Sequence, residues 1–240
     1  MSVLKAIDLK KKYGKKIAVN GISLEVKTGE VVGLLGPNGA GKTTTFYMIM
    51  GALKPDHGNI FLDDMELTHF PMYKRAQMGV SYLPQEASVF RKLTVFENIY
   101  SILELKKTNK EEAAKKTQEL LNLMGIDKLK NEKAYNLSGG ERRRVEIARS
   151  LAITPKFLLL DEPFTGIDPK TREEIQDIII NLKNLNIGIL ITDHNVRETL
   201  SITDRAYIIY QGEILIEGTS QELINNPEAR KIYLGERFKL

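Results

Sequence analysis

The segment GPNGAGKT at residues 36–43 has the residue types and the spacing of a phosphate-binding loop. Its glycines allow successive backbone N–H groups to face one anion. A helix predicted over residues 42–53 would point the positive end of its dipole at the same anion. In such a loop Lys42 reaches the β- and γ-phosphates of a nucleotide and Thr43 ligates Mg²⁺. The alternative is a purely structural glycine-rich turn, which the preceding apolar run EVVGLL disfavours.

A pair of acidic residues follows a second apolar run, FLLLDE at residues 157–162. A buried strand here would deliver Asp161 to the edge of a sheet, where its carboxylate can hold the Mg²⁺ shell. Glu162 follows directly and is the natural general base for an attacking water molecule. Many strands end in acidic residues, so this pattern gains its meaning from the phosphate-binding loop upstream.

The periodicity of apolar residues predicts the elements that position these groups. Short apolar or alternating runs predict strands over residues 3–9, 22–26, 30–35, 157–160 and 188–192, and a hairpin over 206–210 and 213–217. Helical spacing predicts helices over 42–53 and 170–185 and from 221 onwards, and it dominates the whole segment 94–151. This order predicts an α/β fold with a mainly parallel sheet, an N-terminal antiparallel β region and an inserted helical subdomain.

Composition limits the class of protein. Hydrophobic residues make up 42% of the 240 residues and charged residues 28%, which is typical of a globular chain. No run approaches the roughly 20 apolar residues of a membrane span, and the N-terminus lacks a secretory signal, so we expect a cytoplasmic protein. The absence of cysteine excludes disulfides and thiolate chemistry. The net charge is +4, but the lysines are spread along the chain with acidic residues between them. This distribution favours a solvated surface and predicts no nucleic-acid partner.

Four further segments give the chain a family resemblance. LSGGE at 137–141 resembles the signature of ABC transporter ATPases, and His194 in LITDHNV resembles their switch histidine. Gln85 in YLPQEA matches the Q-loop glutamine, and Asp168 in GIDP matches the D-loop aspartate. The resemblance covers essentially the whole chain. It implies one ABC-type P-loop NTPase domain over residues 1–240, with a core and β region at 1–93 and 152–240 and a helical subdomain at 94–151.

The resemblance also implies the roles of individual residues. Glu162, His194 and Gln85 would be catalytic, and Gln85 would join Thr43 and Asp161 around Mg²⁺. Tyr13 would stack on adenine. The remaining ATP-binding residues would be those of the phosphate-binding loop and its helix, namely Gly36, Pro37, Asn38, Gly39, Ala40, Gly41, Lys42, Thr43 and Thr44.

A second copy of the chain would complete each ATP site. In ABC ATPases the signature and D-loop of one subunit close over the ATP of its partner, which implies a homodimer in the ATP-bound state. The residues that would act in this way are Leu137, Ser138, Gly139, Gly140, Glu141 and Asp168. Ser138 and the two glycines start a helical run, so they would offer a hydroxyl and free N–H groups at a positive helix end. The family also implies two transmembrane permease subunits, with this chain on the cytoplasmic face of the inner membrane and touching the membrane only through them.

Longer segments, including residues 81–99, LDEPFTGIDP and the terminal YLGERF, resemble the ATPase of the bacterial lipopolysaccharide-export system. Glu141, where most ABC signatures have glutamine, is typical of that relative. Thr165 and Ser150 stand where alanine is expected, and we expect neither to act near the phosphates. The alternatives are the ATPase of a branched-chain amino-acid importer and a soluble ABC protein that acts on ribosomes or DNA. The single cassette and the lack of sustained heptads disfavour the soluble class.

Phe90 and Arg91 follow the Q-loop and are candidates for coupling to a partner. An exposed phenylalanine beside arginine is unusual unless a partner buries it. We therefore expect these two residues to line the groove that receives a helix of the membrane subunits. The alternative is that Phe90 packs into the helical subdomain.

Overall fold

The computed structural model describes residues 1–235 and 238 of the chain. In these residues the strands are β1 Val3–Tyr13, β2 Lys16–Lys27, β3 Val31–Leu35, β4 His57–Leu62, β5 Met65–Glu66, β6 Val80–Leu83, β7 Phe157–Asp161, β8 Gly188–Thr192, β9 Arg205–Tyr210 and β10 Glu213–Thr219. Residues 236 and 237, part of the terminal YLGERF segment that contributes to the resemblance, lie outside the described residues.

The α-helices are α1 Lys42–Met50, α2 Met72–Gln77, α3 Val95–Leu105, α4 Lys110–Leu123, α5 Gly139–Leu151, α6 Pro169–Asn184, α7 Val196–Leu200, α8 Ser220–Asn225 and α9 Pro227–Ala229. Short 3-10 turns at Asp127–Leu129 and Ala134–Asn136 lead from α4 to α5, and a π-helical turn at Arg230–Leu234 follows α9.

The strands form two sheets, as the sequence predicts. The first is antiparallel, in the order β2-β1-β4-β5. The second has the order β10-β9-β3-β8-β7-β6 and is parallel except for β10, which pairs with β9 as the predicted hairpin. Every residue of β3, β7 and β8 is buried, which explains their continuous apolar runs. The α/β fold class is confirmed.

Helix α1 lies between the two sheets, because it contacts β1 and β2 of one and β6 and β7 of the other. The phosphate-binding loop therefore meets the carboxyl ends of the parallel strands, the usual place of a ligand in such sheets. The acidic pair and the histidine follow β7 and β8 at the same edge.

Helices α3, α4 and α5 occupy the segment predicted to be helical. Helix α3 begins at Val95 because Thr94 and Glu97 form a capping box, each side chain accepting the backbone N–H of the other. Buried residues of these helices share one apolar cluster with β7, β8 and α6. The division of the chain at residues 94 and 151 remains a prediction.

Candidate functional site

The phosphate-binding loop joins β3 to α1 and turns sharply at its end. Gly41 has a φ of 110°, a left-handed value that favours glycine. A Cβ on Gly41 would lie 2.5 Å from the carbonyl oxygen of Ala18 on β2. The Lys42 ammonium donates hydrogen bonds to the carbonyl oxygens of Gly36 and Pro37, at 2.7 and 3.1 Å. The lysine thus already lies along the loop in which nucleotide phosphates are expected to bind.

The charge of Lys42 is held in a partly buried place. Burial lowers the pKa of the Lys42 ammonium, whereas the nearby carboxylates of Glu162 and Asp161 raise it. The anionic phosphates of a nucleotide would favour the charged form further, because opposite charges stabilise each other most where water is scarce. The electrostatics of the loop therefore suit a polyphosphate ligand.

The three residues predicted to be catalytic meet at one oxygen atom. Gln85 Nε2 donates to Glu162 Oε2 at 2.8 Å, and Nδ1 of His194 lies 3.3 Å from the same oxygen. The glutamine and the histidine come from the loops that follow β6 and β8, which flank β7 in the sheet. The structure thus brings together side chains that are far apart in the sequence, while their catalytic roles remain predictions.

Thr165 also contacts this carboxylate. Its hydroxyl donates to Glu162 Oε2 at 3.0 Å, so this position lies beside the predicted general base, while its lack of a role at the phosphates remains a prediction. The side chain can reach because the chain turns back just after Glu162, a detail that a motif comparison does not contain. Ser150, the other departure, donates to the carbonyl oxygen of Ile147 within α5.

The backbone of Glu162 adopts a strained conformation. Its φ of 44° is left-handed, which is uncommon for any residue other than glycine. Its N–H donates to the carbonyl oxygen of Thr192 at 2.8 Å and so ties the loop after β7 to the end of β8. Such strain costs about 1–3 kcal/mol and persists only where neighbouring contacts enforce it, commonly at functional sites.

Asp161 lies at the end of β7 and is only 4% exposed. Tyr82 on β6, which the sequence analysis missed, donates its phenolic hydrogen to Asp161 Oδ2 at 3.2 Å. Burial raises the pKa of the Asp161 carboxyl, and the hydrogen bond from Tyr82 opposes that shift. On β8, which pairs with β7 at this point, the buried hydroxyl of Thr192 has no hydrogen-bond partner.

These oxygen atoms fit a hard divalent cation. A buried carboxylate and a buried hydroxyl with no partner are groups that a hydrated cation would satisfy. Across the described part of the chain no cluster of three or more His, Cys, Asp or Glu side chains could hold a metal by itself. Mg²⁺ is usually bound by one or two carboxylates together with substrate phosphates. The donor set of Asp161, Thr43 and the amide oxygen of Gln85 therefore suits Mg²⁺ bound with a nucleotide.

A buried arginine on α5 links the loop that follows β6 with the loop that follows β7. Arg143 on α5 donates to the carbonyl oxygens of Pro84, Pro163 and Asp161, at 2.7, 3.3 and 3.2 Å. It also forms an ion pair with Glu146 at 3.2 Å. Its role is not predicted from the sequence, in which an arginine three residues before a glutamate on a helix is only a weak signal of a buried pair. One side chain thus holds the loops that carry Gln85 and Glu162.

Asp193, before the histidine, is a second buried group that sequence reasoning missed. It is fully buried and accepts the backbone N–H groups of Phe164 and Asn195, at 3.3 and 2.8 Å. Burial raises the pKa of its carboxyl, and these hydrogen bonds counteract the shift. Its Oδ1 lies 3.4 Å from Nδ1 of His194. Asp193 therefore fixes the loop that presents the histidine.

The signature residues lie at the start of α5, as predicted. Ser138 is the N-cap of the helix, and Glu141 closes a capping box with it. The carboxylate of Glu141 accepts both the N–H and the hydroxyl of Ser138, each at 2.8 Å. The serine N–H and hydroxyl that were expected to be free are therefore held by Glu141 in the single chain.

The D-loop aspartate lies beside the signature. Asp168 caps α6 and accepts hydrogen bonds from the backbone N–H and the hydroxyl of Thr171, at 3.0 and 2.5 Å. Gly140 packs so closely on Thr171 that a Cβ would lie 2.1 Å from its methyl carbon. The structure thus brings Gly140 and Asp168 together, in contact with Thr171 rather than with the phosphate-binding loop. Leu137, which precedes the N-cap, is buried.

The other predicted ATP-binding residues differ in exposure. Asn38, Gly39 and Thr43 are exposed and Thr44 is half-buried, whereas Ala40 is buried. Tyr13 lies at the end of β1 with 52% of its surface exposed, so its ring is available for stacking. The role of Tyr13 against adenine remains a prediction.

Phe90 lies on the surface and is 46% exposed, so part of its ring is open to a partner while the ring also contacts the helical segment. Its ring stacks under the guanidinium of Arg149, 4.4 Å from the ring centre, and its backbone N–H donates to Asn98 Oδ1 at 2.8 Å. Arg91 beside it is also exposed. A rigid, exposed aromatic residue next to two arginines is available for a partner, and that use remains a prediction.

The described residues include no helix that is both long enough and apolar enough to span a membrane.

The sequence profile of the family "ABC transporter" matches residues 19–165. A lipopolysaccharide export system ATP-binding protein LptB from Acidithiobacillus ferridurans is 51% identical over 99% of both chains. The protein of the same name from Haemophilus influenzae is 50% identical over the full length of both.

Solved structures agree with this match. An ATP-binding cassette of an ABC transporter in its ADP conformation superposes with a TM-score of 0.85, at 28% identity over 98% of this chain and 100% of that one. A dimeric cassette in a post-hydrolysis state with bound ADP and Pi has a TM-score of 0.79, at 27% identity over 90% of this chain and 98% of the other. The phosphate-binding loop, the acidic pair, the Q-loop and the histidine thus belong to a nucleotide-binding cassette, and this chain is a member of the ABC transporter ATP-binding family.

Proposed function

We propose that this chain is the ATP-hydrolysing subunit that powers lipopolysaccharide extraction from the inner membrane and its export to the outer membrane. The observation that carries the ATPase part is the meeting of Gln85 and His194 at the carboxylate of Glu162, at one edge of the sheet with Lys42 and Asp161. The full-length similarity to lipopolysaccharide export proteins supports the cargo.

In the proposed reaction the phosphate-binding loop and Lys42 hold the nucleotide phosphates. Glu162 accepts the proton of the attacking water as general base. Gln85 and His194 hold that carboxylate and would orient the water and the terminal phosphate. Mg²⁺, held by Thr43, Asp161 and Gln85, would neutralise charge on the phosphates when it is bound.

Two chains would enclose two ATP molecules. The helix end at Ser138 and the D-loop at Asp168 would close over the ATP of the partner subunit, and the dimeric cassette with ADP and Pi supports this arrangement. Ser138 must then turn its hydroxyl from Glu141 to a phosphate. ATP binding would favour the closed dimer and hydrolysis would release it.

The dimer would bind two permease subunits at the cytoplasmic face of the inner membrane. Phe90 and Arg91 would receive a helix from each permease, because an exposed aromatic beside a positive charge is a common anchor at interfaces. Since they lie just after Gln85, a change at the nucleotide could reach the permeases through the Q-loop.

A complementation experiment tests this function. Cells depleted of their own lipopolysaccharide-export ATPase should regain growth and surface lipopolysaccharide when they express this chain, but not the Lys42→Ala variant, which lacks the charge that binds phosphate. Both proteins should be produced in equal amount, as measured by immunoblotting. Failure of the unaltered chain to restore export, with restored uptake of branched-chain amino acids in importer-deficient cells, would contradict the cargo.

A further inference from the structure

Tyr82 occupies a position from which it can control Asp161. It lies on the edge strand β6, where its register partner on β7 is Leu159. Asp161 is two residues beyond Leu159, so its side chain lies on the same face of the sheet. A tyrosine is long enough to reach such a diagonal neighbour. The phenolic oxygen accordingly lies 3.2 Å from Asp161 Oδ2.

The Asp161 carboxylate depends on such a donor. It is almost fully buried, and a buried carboxylate needs hydrogen-bond donors from the protein. The phenol of Tyr82 is a neutral donor, which stabilises the carboxylate and fixes its rotation without competing with a cation by charge. The phenol thus engages Oδ2 of this carboxylate.

The phenol is itself held in place. Its ring packs against Phe46, with ring centres 6.1 Å apart and planes at 57°. Phe46 is fully buried on α1, the helix that begins with Lys42 and Thr43. Gln85 follows Tyr82 by three residues. Tyr82 therefore connects its own strand, which leads into the Q-loop, with the helix of the phosphate-binding loop and with the acidic strand.

We propose that Tyr82 is a positioning residue, which orients the Asp161 carboxylate toward the divalent cation of the bound nucleotide. This inference rests on the proposed function. Residues that hydrogen-bond a metal-binding carboxylate typically change metal affinity by about 10–100-fold when they are removed. A tyrosine that serves packing alone would leave metal affinity unchanged when only its hydroxyl is lost.

The test uses the full chain with a non-hydrolysable ATP analogue, and Mn²⁺ as the metal probe, with free Mn²⁺ measured by electron paramagnetic resonance. Tyr82→Phe keeps the ring and removes the hydroxyl, and should weaken Mn²⁺ binding to the nucleotide complex by about tenfold. Binding of the analogue in the presence of EDTA should stay the same. Tyr207→Phe is the matched control, because it removes another buried phenol, whose oxygen accepts hydrogen bonds from Arg205 at 2.6 Å and from the backbone N–H of Glu25 at 3.2 Å, neither of them a predicted site residue.

A double-mutant cycle separates positioning from packing. Asp161→Asn should weaken Mn²⁺ binding at least as much as Tyr82→Phe, and adding Tyr82→Phe to it should have no further effect. Unchanged Mn²⁺ affinity in Tyr82→Phe, or an equal loss of metal-free nucleotide binding, would overturn the proposal. So would full additivity in the double variant. A parent chain that binds no nucleotide would instead contradict the proposed function, and the role of Tyr82 with it.

Discussion

At the scale of single residues, Glu162 should decide whether ATP is hydrolysed. Glu162→Gln keeps the size of the side chain and can still bond with Gln85 and Thr165, but a carboxamide cannot accept a proton. We expect turnover to fall on the order of 10²–10⁴-fold with ATP affinity retained. Phosphate release and equilibrium binding of fluorescent ATP measure the two quantities separately. A variant that hydrolyses ATP at the unaltered rate would exclude Glu162 as the base.

Tyr13 should affect binding rather than chemistry. Its exposed ring would stack on adenine equally in the ground and transition states, so Tyr13→Ala should raise KM for ATP and change kcat little. Tyr13→Trp should restore KM, because any large aromatic face can stack. Steady-state kinetics over a wide ATP range measure both constants. A fall in kcat equal to the loss in kcat/KM would assign Tyr13 a different role.

Motif residues could be predicted from the sequence because their spacing and neighbours identify them. Lys42, Gln85 and Glu162 are of this kind, and the structure brings the last two into contact. Tyr82 and Thr165 could not be predicted, because each acts through a hydrogen bond that depends on strand register or on the turn after Glu162.

At the scale of elements, buried Arg75 holds α2 against the end of α1. It is 1% exposed, and its guanidinium donates to four backbone carbonyls. Two of these belong to the last turn of α1, where carbonyls lack helical partners. Arg75→Met would remove these four hydrogen bonds to buried carbonyls and should destabilise the fold by about 1–3 kcal/mol. Chemical denaturation measures this free energy.

The adjacent Lys74 is exposed on the same short helix and provides the control for that experiment. Lys74→Met should leave the free energy of unfolding nearly unchanged. Equal stability of the Arg75 variant and the unaltered chain would mean that the guanidinium is not required to satisfy these carbonyls.

The length and burial of each element explain whether it could be predicted from the sequence. Strands β3, β7 and β8 were predictable because burial on both faces requires continuous apolar residues. Strands β4–β6 and helix α2 were missed. β5, β6 and α2 are only two, four and six residues long, too short for a periodic pattern, and β4 alternates weakly in burial. β4 is placed by pairing with β1, β5 by pairing with β4 and β6 by pairing with β7, and α2 is held by the contacts of Arg75.

At the scale of the whole molecule, the dimer should accumulate when hydrolysis is blocked. The Glu162→Gln chain with saturating MgATP should double its mass in light scattering, because closure proceeds but release does not. Addition of Ser138→Ala should weaken this dimer, since the partner phosphate would lose its hydroxyl donor. If the Glu162→Gln variant stays monomeric with saturating MgATP, the proposal that two chains enclose the ATP would be contradicted.

Substitution of Phe90 tests whether this surface binds the permease subunits. Phe90→Ala should remove an anchor worth on the order of 2–4 kcal/mol and so reduce copurification with the membrane subunits. Basal ATPase activity and melting temperature should be retained, because the ring is exposed and lies outside the phosphate site. Tyr73→Ala, which removes another exposed aromatic, is the control. A lower melting temperature with intact assembly would indicate a packing role.

The contacts of Arg143 have a genetic consequence. Except for Glu146, its partners are backbone carbonyl oxygens in the loops around Gln85 and Glu162. Every amino acid supplies that oxygen, so substitutions in those loops can change the chemistry of the site without breaking its link to α5. Loss of Arg143 removes all of these bonds at once, and no second mutation among the carbonyls can restore them. The bonds that one side chain makes from α5 to both loops thus depend on a single codon.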